Sequence, residues 1–328
     1  MKNDFVMLLE MEKYKKQLSK LRRDNKFGGA PHKPILLISI IDAFDSGFLD
    51  SQIIPISPEL LSLFRSNWKN YVETPHDCRF ALPFYHMKSE PFWRLVPNEG
   101  CKIWVESKSS MQSFNNLITA VAYAEIEKGL ANLFLETKTR QDLRDFLVAL
   151  YFGKTSSNYP DLYALENVRK DILKETSEAY ASKLKYLKET LSPEDYEEEL
   201  FVRGSLFKRE VPKIYNFTCA VSGLRVDTTF SISMLDACHI VPFSVRGDDT
   251  IGNGIALCPN LHRAFDRGII TLDFSDLRVR TSKRFSEPQA VSYSIKQFEG
   301  KEIKSPEQIN LEVFRANLAW HNENVFIG

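Results

Sequence analysis

Two histidines and one asparagine near the carboxy terminus, His239, Asn253 and His262, have the types and spacing that phosphate chemistry needs. They lie in CAVSGLRVDTTFSISMLDACHIVPFSVRGDDTIGNGIALCPNLHRAFDRGIITLD. Hydrolysis of a phosphodiester requires an activated water, charge stabilisation at the leaving oxygen and an in-line hold on the phosphate. A neutral imidazole has the basicity to take a proton from water near neutral pH, which makes His239 the candidate general base. His262 suits a metal ligand. Asn253, carrying both donor and acceptor atoms, can brace its loop and hold the His239 ring in position.

Such residues work only if the chain brings them together. MLDACHIVPF reads as a strand, SVRGDDTIGNG as a loop, IALC as a short return strand, and PNLHRAFDRG as a helix stopped by Gly268. A hairpin followed by a helix gathers His239 from the first strand, Asn253 from the loop and His262 from the helix around one phosphate. A single buried histidine is more often a core residue than a catalyst, but here context and spacing agree across three positions.

The remaining elements follow from pattern. A chain of 328 residues suggests two globular units with a connector, and 43% hydrophobic content is that of a packed protein. The 43 Lys and Arg equal the 43 Asp and Glu, so any nucleic-acid surface must be local. No signal-like start and no run of about 18 apolar residues appears, giving the expectation of a cytoplasmic protein without membrane contact. Five cysteines without a C-x-x-C pair argue against a disulfide framework and a four-cysteine zinc site.

Residues 1–26 carry apolar positions at helical spacing and end in a basic cluster. APHKPILLISIIDAF predicts a buried helix, and SPELLSLFRSNWKNYV a second, with Ser57 as N-cap and Pro58 at the first position. FALPFYHM, PFWRLVP and KIWVES read as short strands, residues 112–152 as helical, and the charged stretch across residues 160–200 as a helical connector. A further helix, GSLFKREVPKIY, leads into the carboxy-terminal motif. The expected organisation is an α+β protein. Its parts are a mainly helical domain with a small β element at 1–155, a helical connector at 156–203, and a ββα domain with a helical tail at 204–328.

The carboxy-terminal segment resembles the HNH, or ββα-metal, nuclease family through CxxxGL, AxHIxPF and NGxxLCPNLHxxFDRG. The resemblance is carried by Cys219, Gly223, Leu224, His239, Ile240, Pro242, Phe243, Asn253, Gly254 and Leu257 to Gly268. It covers about residues 204–285. It implies a DNA endonuclease that uses a divalent ion such as Mg²⁺ or Mn²⁺ on double-stranded DNA. Many members place an acidic metal ligand directly before the first histidine, where this chain has Cys238. Asp236 and Asp266 are the alternatives, alongside His262. Ser222 stands where many relatives have cysteine, which argues against a structural zinc and leaves Cys219 and Cys258 as small core residues. His321 is read as structural, on an exposed helix.

In the amino-terminal half, Arg22, Arg23, Lys26, His32 and Lys33 surround a glycine loop that would let a DNA backbone approach. GGAPHKPILLI, FALPFYHM and PFWRLVP resemble the DNA sulfur-binding domain of phosphorothioate-dependent restriction enzymes, a type IV phage-defence family that joins this domain to an HNH nuclease. That resemblance covers about residues 15–155. It implies that His32 and Lys33 hold the modified phosphate, and that Leu82 and Pro83 form the sulfur pocket with Phe84, Tyr85 and His86. Members often carry tyrosine at the position of Leu82 and arginine at that of Lys33, and lysine lacks the bidentate fork. Two alternatives stay open: a nuclease reading a modified base or a sequence, and a DNA-binding defence subunit with an inactive nuclease fold. Leu82, Pro83 and Phe84 can also be a core edge packing against Trp93. A homodimer would place two nicking modules on one duplex.

Overall fold

His32–Asp45 is hydrophobic on every side, and a helix of that kind must sit inside a core. In this computed structural model, which describes residues 2–106, 113–155, 160–227, 233–288, 293–303, 306 and 308–328, it does so. Ile35, Leu36, Leu37, Ile38, Ile40 and Ile41 are fully buried. Pro34 is tolerated because it stands in the first turn, where backbone N–H groups have no intrahelical acceptor. Pro58–Tyr71 packs beside it and is capped as expected, with Ser57 Oγ accepting from Leu60 N at 3.2 Å. Thr137–Phe152 ends at Gly153, whose φ of 60° is the left-handed cap that glycine adopts at least cost. Asp42 ties the three helices together by accepting from Arg144 Nε at 2.6 Å and Asn67 Nδ2 at 2.7 Å in the buried interior.

The same unit holds an antiparallel sheet in the order Ile53–Pro55, Val121–Ile126, Trp93–Pro97, with Ile54 and Leu95 both opposite Ala124. Trp93–Pro97 is the strand expected from PFWRLVP. Two neighbours differ from expectation. Ala81–His86 and Lys102–Glu106 are short helices rather than strands. In the first, Phe80 with Phe84 and Ala81 with Tyr85 are buried at four-residue spacing, so helical burial prevails over the aromatic, strand-like composition. Conversely, the Val121–Ile126 strand falls within a segment read as helical throughout. Position 112 of that segment lies outside the described residues.

The chain divides into two compact units, Met1–Glu166 with Pro193–Glu198, and Asn167–Ser192 with Glu199–Gly328. In the second, Asp236–His239 pairs antiparallel with Gly254–Leu257, placing His239 opposite Gly254, and the helix Pro259–Asp266 follows. Phe243, read as strand, and Ser244 to Arg246, read as loop, form a short helix, Phe243–Arg246, capped by Gly247. Helices Tyr163–Lys174, Ser177–Thr190 and Pro193–Ile214 precede this motif. Their charged residues in the second unit pair with one another: Arg203 contacts Glu199 at 2.9 Å and Asp171 at 3.4 Å, and Lys183 also contacts Asp171.

The closing helix Leu311–Asn324 covers the strand Ile270–Leu272, and His321 is buried rather than exposed. Its Nε2 donates to Phe265 O at 3.1 Å, which leaves Nδ1 to accept from Thr271 Oγ1 at 2.8 Å. Among the described residues no helix is long and apolar enough to cross a membrane.

Candidate active site and nucleic-acid interface

The hairpin and helix bring His239, Asn253 and His262 into one neighbourhood by different means. Asn253 is fully buried and acts on the backbone: Oδ1 accepts from Val241 N at 2.8 Å, while Nδ2 donates to Val241 O at 2.9 Å and Asp248 O at 3.0 Å. It thereby locks the loop that follows His239. The contact with the His239 ring itself comes from elsewhere.

His239 Nε2 lies 2.8 Å from Asp249 Oδ1. A buried carboxylate accepts, so the ring proton sits on Nε2 and Nδ1 keeps the lone pair that can take a proton from water. The ring also stacks on Phe207, with centroids 4.1 Å apart and planes within 7°. Sequence reasoning missed both partners. Asp249 stood in plain sight in the GDDT loop, whereas nothing in the helix around Phe207 signals a contact with a histidine on a later strand.

His262 stands between two carboxylates: Nδ1 is 3.0 Å from Asp236 Oδ2, and Nε2 is 3.3 Å from Asp266 Oδ2. Cys238, His262 and Asp266 offer ligand atoms that all lie within 4.8 Å of one another. Cys238 is wholly buried, and burial together with the Asp266 carboxylate pushes its thiol well above its ordinary value. Without an ion it is therefore a neutral thiol, and an ion bound beside it would favour the thiolate. Imidazole plus carboxylate oxygens is a donor set that fits a hard or borderline divalent ion. His239, Pro242, Phe243, His262 and Asp266 line a shared cleft of about 330 Å³. Cys219 and Cys258 are buried free thiols, with Cys219 Sγ accepting from Cys258 N at 3.3 Å.

The amino-terminal candidates converge on a second cavity, of about 510 Å³. Arg22, Arg23, Lys26, His32, Lys33, Leu82, Pro83 and His86 all line it. Phe84 and Tyr85 do not: Phe84 packs on Trp93 at 5.2 Å, and the Tyr85 hydroxyl donates to Val105 O inside the core. Lys33 is buried and ion-paired with Glu90 at 2.5 Å; burial pulls its pKa down while Glu90 opposes the shift. Arg23 lies over the Tyr151 ring at 4.5 Å. Arg22, Lys26 and Lys88 line the cavity as exposed cations, Lys88 with its ammonium donating to Val105 O and the Tyr85 hydroxyl.

Phe27, His76 and Lys88 also line this cavity and were not anticipated. His32 and Phe27 meet the His76 ring edge-on, at 5.8 and 5.4 Å. The wall is thus a set of rings. Desolvation lowers the pKa of both His32 and His86, the latter helped by Lys33 and Lys88, so neutral imidazoles prevail there at neutral pH.

Comparison with known proteins adds to this geometry. Residues 219–273 match the HNH endonuclease family. No curated protein matches the chain. Among solved structures, that of the Type IV phosphorothioation-dependent restriction endonuclease ScoMcrA is similar over 76% of this chain and 94% of that one, with 13% sequence identity and a TM-score of 0.32. The family match spans His239, Asn253 and His262 together with the hairpin and helix that carry them. Residues 219–273 thus form an HNH endonuclease domain, and with it the chain is a metal-dependent DNA endonuclease.

Proposed function

We propose that this is a modification-dependent restriction endonuclease of the cytoplasm, which binds phosphorothioated double-stranded DNA through its amino-terminal unit and cuts nearby. The observation that carries the reading is the amino-terminal cavity, where Leu82, Pro83 and Phe27 offer apolar surface beside the exposed cations Arg22 and Lys26. Sulfur in place of a non-bridging phosphate oxygen is larger, softer and less hydrated, so an apolar wall accepts it at lower desolvation cost. The phosphate charge that remains is met by the cations at the rim. Lys33, neutralised by Glu90, then supports the cavity floor rather than gripping phosphate.

In the nuclease, His239 accepts the proton from water at Nδ1, and Asn253 holds the following backbone in register. His262 through Nε2 and Asp266 hold the divalent ion, Mg²⁺ or Mn²⁺, while Asp236 accepts from Nδ1–H and orients the ring. When bound, the ion supplies charge stabilisation at the phosphate. Two copies acting on one duplex would cut both strands.

A second reading has support from cavity size: about 510 Å³ walled by the rings of Phe27, His32 and His76 is far more than one sulfur atom fills and suits an extruded base. Matched duplexes carrying an Rp phosphorothioate, a methylated base or no mark, incubated with Mg²⁺, Mn²⁺ or EDTA, separate the two. Metal-dependent cutting of the sulfur duplex alone, lost in His239→Ala, is the expected result. Equal cutting of all three discards a modification reader, and cutting of the methylated duplex alone transfers the cavity to a base.

A further inference from the structure

A histidine serves as general base only if its tautomer is correct and its ring plane is held, and the structure supplies both controls from residues outside the H–N–H set. We propose that Asp249 and Phe207 are positioning residues for His239, so that the helix Pro193–Ile214 is a working part of the nuclease rather than a spacer preceding it. The inference rests on His239 being the general base.

Asp249 acts on the edge of the ring. Its side chain is buried, and its Oδ1 lies 2.8 Å from His239 Nε2, an arrangement that assigns the proton to Nε2 and leaves Nδ1 as the basic atom. Phe207 acts on the face: it is fully buried and its ring stacks nearly parallel to the imidazole, centroids 4.1 Å apart. Edge and face together remove the ring's rotational freedom, which is what a positioned base requires.

The surroundings are built to hold this clamp. Gly254 pairs with His239 across the hairpin, and a Cβ there would lie 3.0 Å from Phe207 Cε2 and 2.5 Å from Val211 Cγ2. Only a residue without a side chain lets the helix come this close. Ser177–Thr190 packs on the same loop, with Leu184 Cδ1 3.6 Å from a Cβ built at Gly247. Among the described residues Asp249 meets His239 and, from that helix, interacts with Tyr180, whose hydroxyl is kept protonated by burial and by the Asp249 and Asp248 carboxylates. The Arg203 guanidinium, 5.2 Å from the Tyr180 ring centre, adds the compensating positive charge.

The test uses the full chain with a duplex that the wild type cuts in Mg²⁺. Steady-state cleavage is measured for Phe207→Leu, Asp249→Leu, Asp249→Asn and His239→Ala, and ¹H–¹⁵N spectra of ¹⁵N-histidine-labelled protein report the His239 tautomer. Phe207→Leu and Asp249→Leu are expected to lose roughly 10- to 100-fold in kcat with KM within about twofold. Asp249→Leu also loses the pure Nε2–H tautomer. Asp249→Asn, whose Oδ1 still accepts, keeps that tautomer and recovers most of kcat. Should Phe207→Leu unfold, the Asp249 pair decides alone. Wild-type kcat and tautomer in Asp249→Leu, with His239→Ala inactive, overturns the proposal. Undiminished cleavage by His239→Ala overturns the base assignment itself and the proposal with it.

Discussion

At the scale of single residues, the same side chain performs opposite tasks depending on its surroundings. His239 is partly open to its cleft and keeps one nitrogen available, whereas His321 has both nitrogens committed and its ring stacked on Phe265 at 3.8 Å. Burial pushes the His321 pKa down to about 4. The folded state therefore favours the neutral ring, and the unfolded chain binds a proton that the folded one refuses between about pH 6.5 and 4. Stability from this residue is full above pH 6.5 and is lost as pH falls through that window, to a total of about 3 kcal/mol. Urea unfolding at pH 7 and pH 5 should show the wild type losing about 2 kcal/mol more than His321→Asn over that interval. Parallel losses in the two proteins would show that His321 does not drive the acid response.

At the scale of elements, Gly254 is the position on which strand, helix and site depend together. Its backbone is ordinary extended strand, so the cost of a side chain there is collision and not conformational strain. Gly254→Ala is expected to lose about 2 kcal/mol of stability and to lower cleavage by displacing Phe207 from His239. Pairing it with Val211→Ala opens space where the clash is worst. A double-mutant cycle should therefore return a favourable coupling of about 1 kcal/mol, and strict additivity would mean that the two atoms do not meet. This dependence also marks the limit of what sequence reveals. His239, Asn253, His262 and their hairpin and helix were legible because each is set by local spacing. The Phe207 stack was not, because it joins distant segments through tertiary packing that no periodicity encodes. Phe80 to His86 misled for a related reason: aromatic composition favours strands, and only burial of Phe80 with Phe84 against the helical core selects the helix.

At the scale of the whole molecule, equal numbers of acidic and basic residues leave no long-range field to draw in a polyanion. Affinity for DNA must then come from a few local cations. In the amino-terminal cavity Glu90 consumes Lys33, Arg23 lies over Tyr151 and the Lys88 ammonium donates to Val105 O and the Tyr85 hydroxyl, so the exposed pair Arg22 and Lys26 carries the electrostatic contribution. Each phosphate contact contributes about 0.9 to the slope of log affinity against log salt, because each releases condensed counterions. Replacing both residues by alanine should flatten the measured slope by about 2 while leaving the thermal melt and kcat at saturating DNA unchanged. Leu82→Asp should instead abolish discrimination between sulfur and oxygen duplexes, since it places a second negative charge where an apolar wall meets the marked phosphate. An unaltered salt slope in the double alanine variant would move the DNA footprint off this cavity, and with it the reader of the modification.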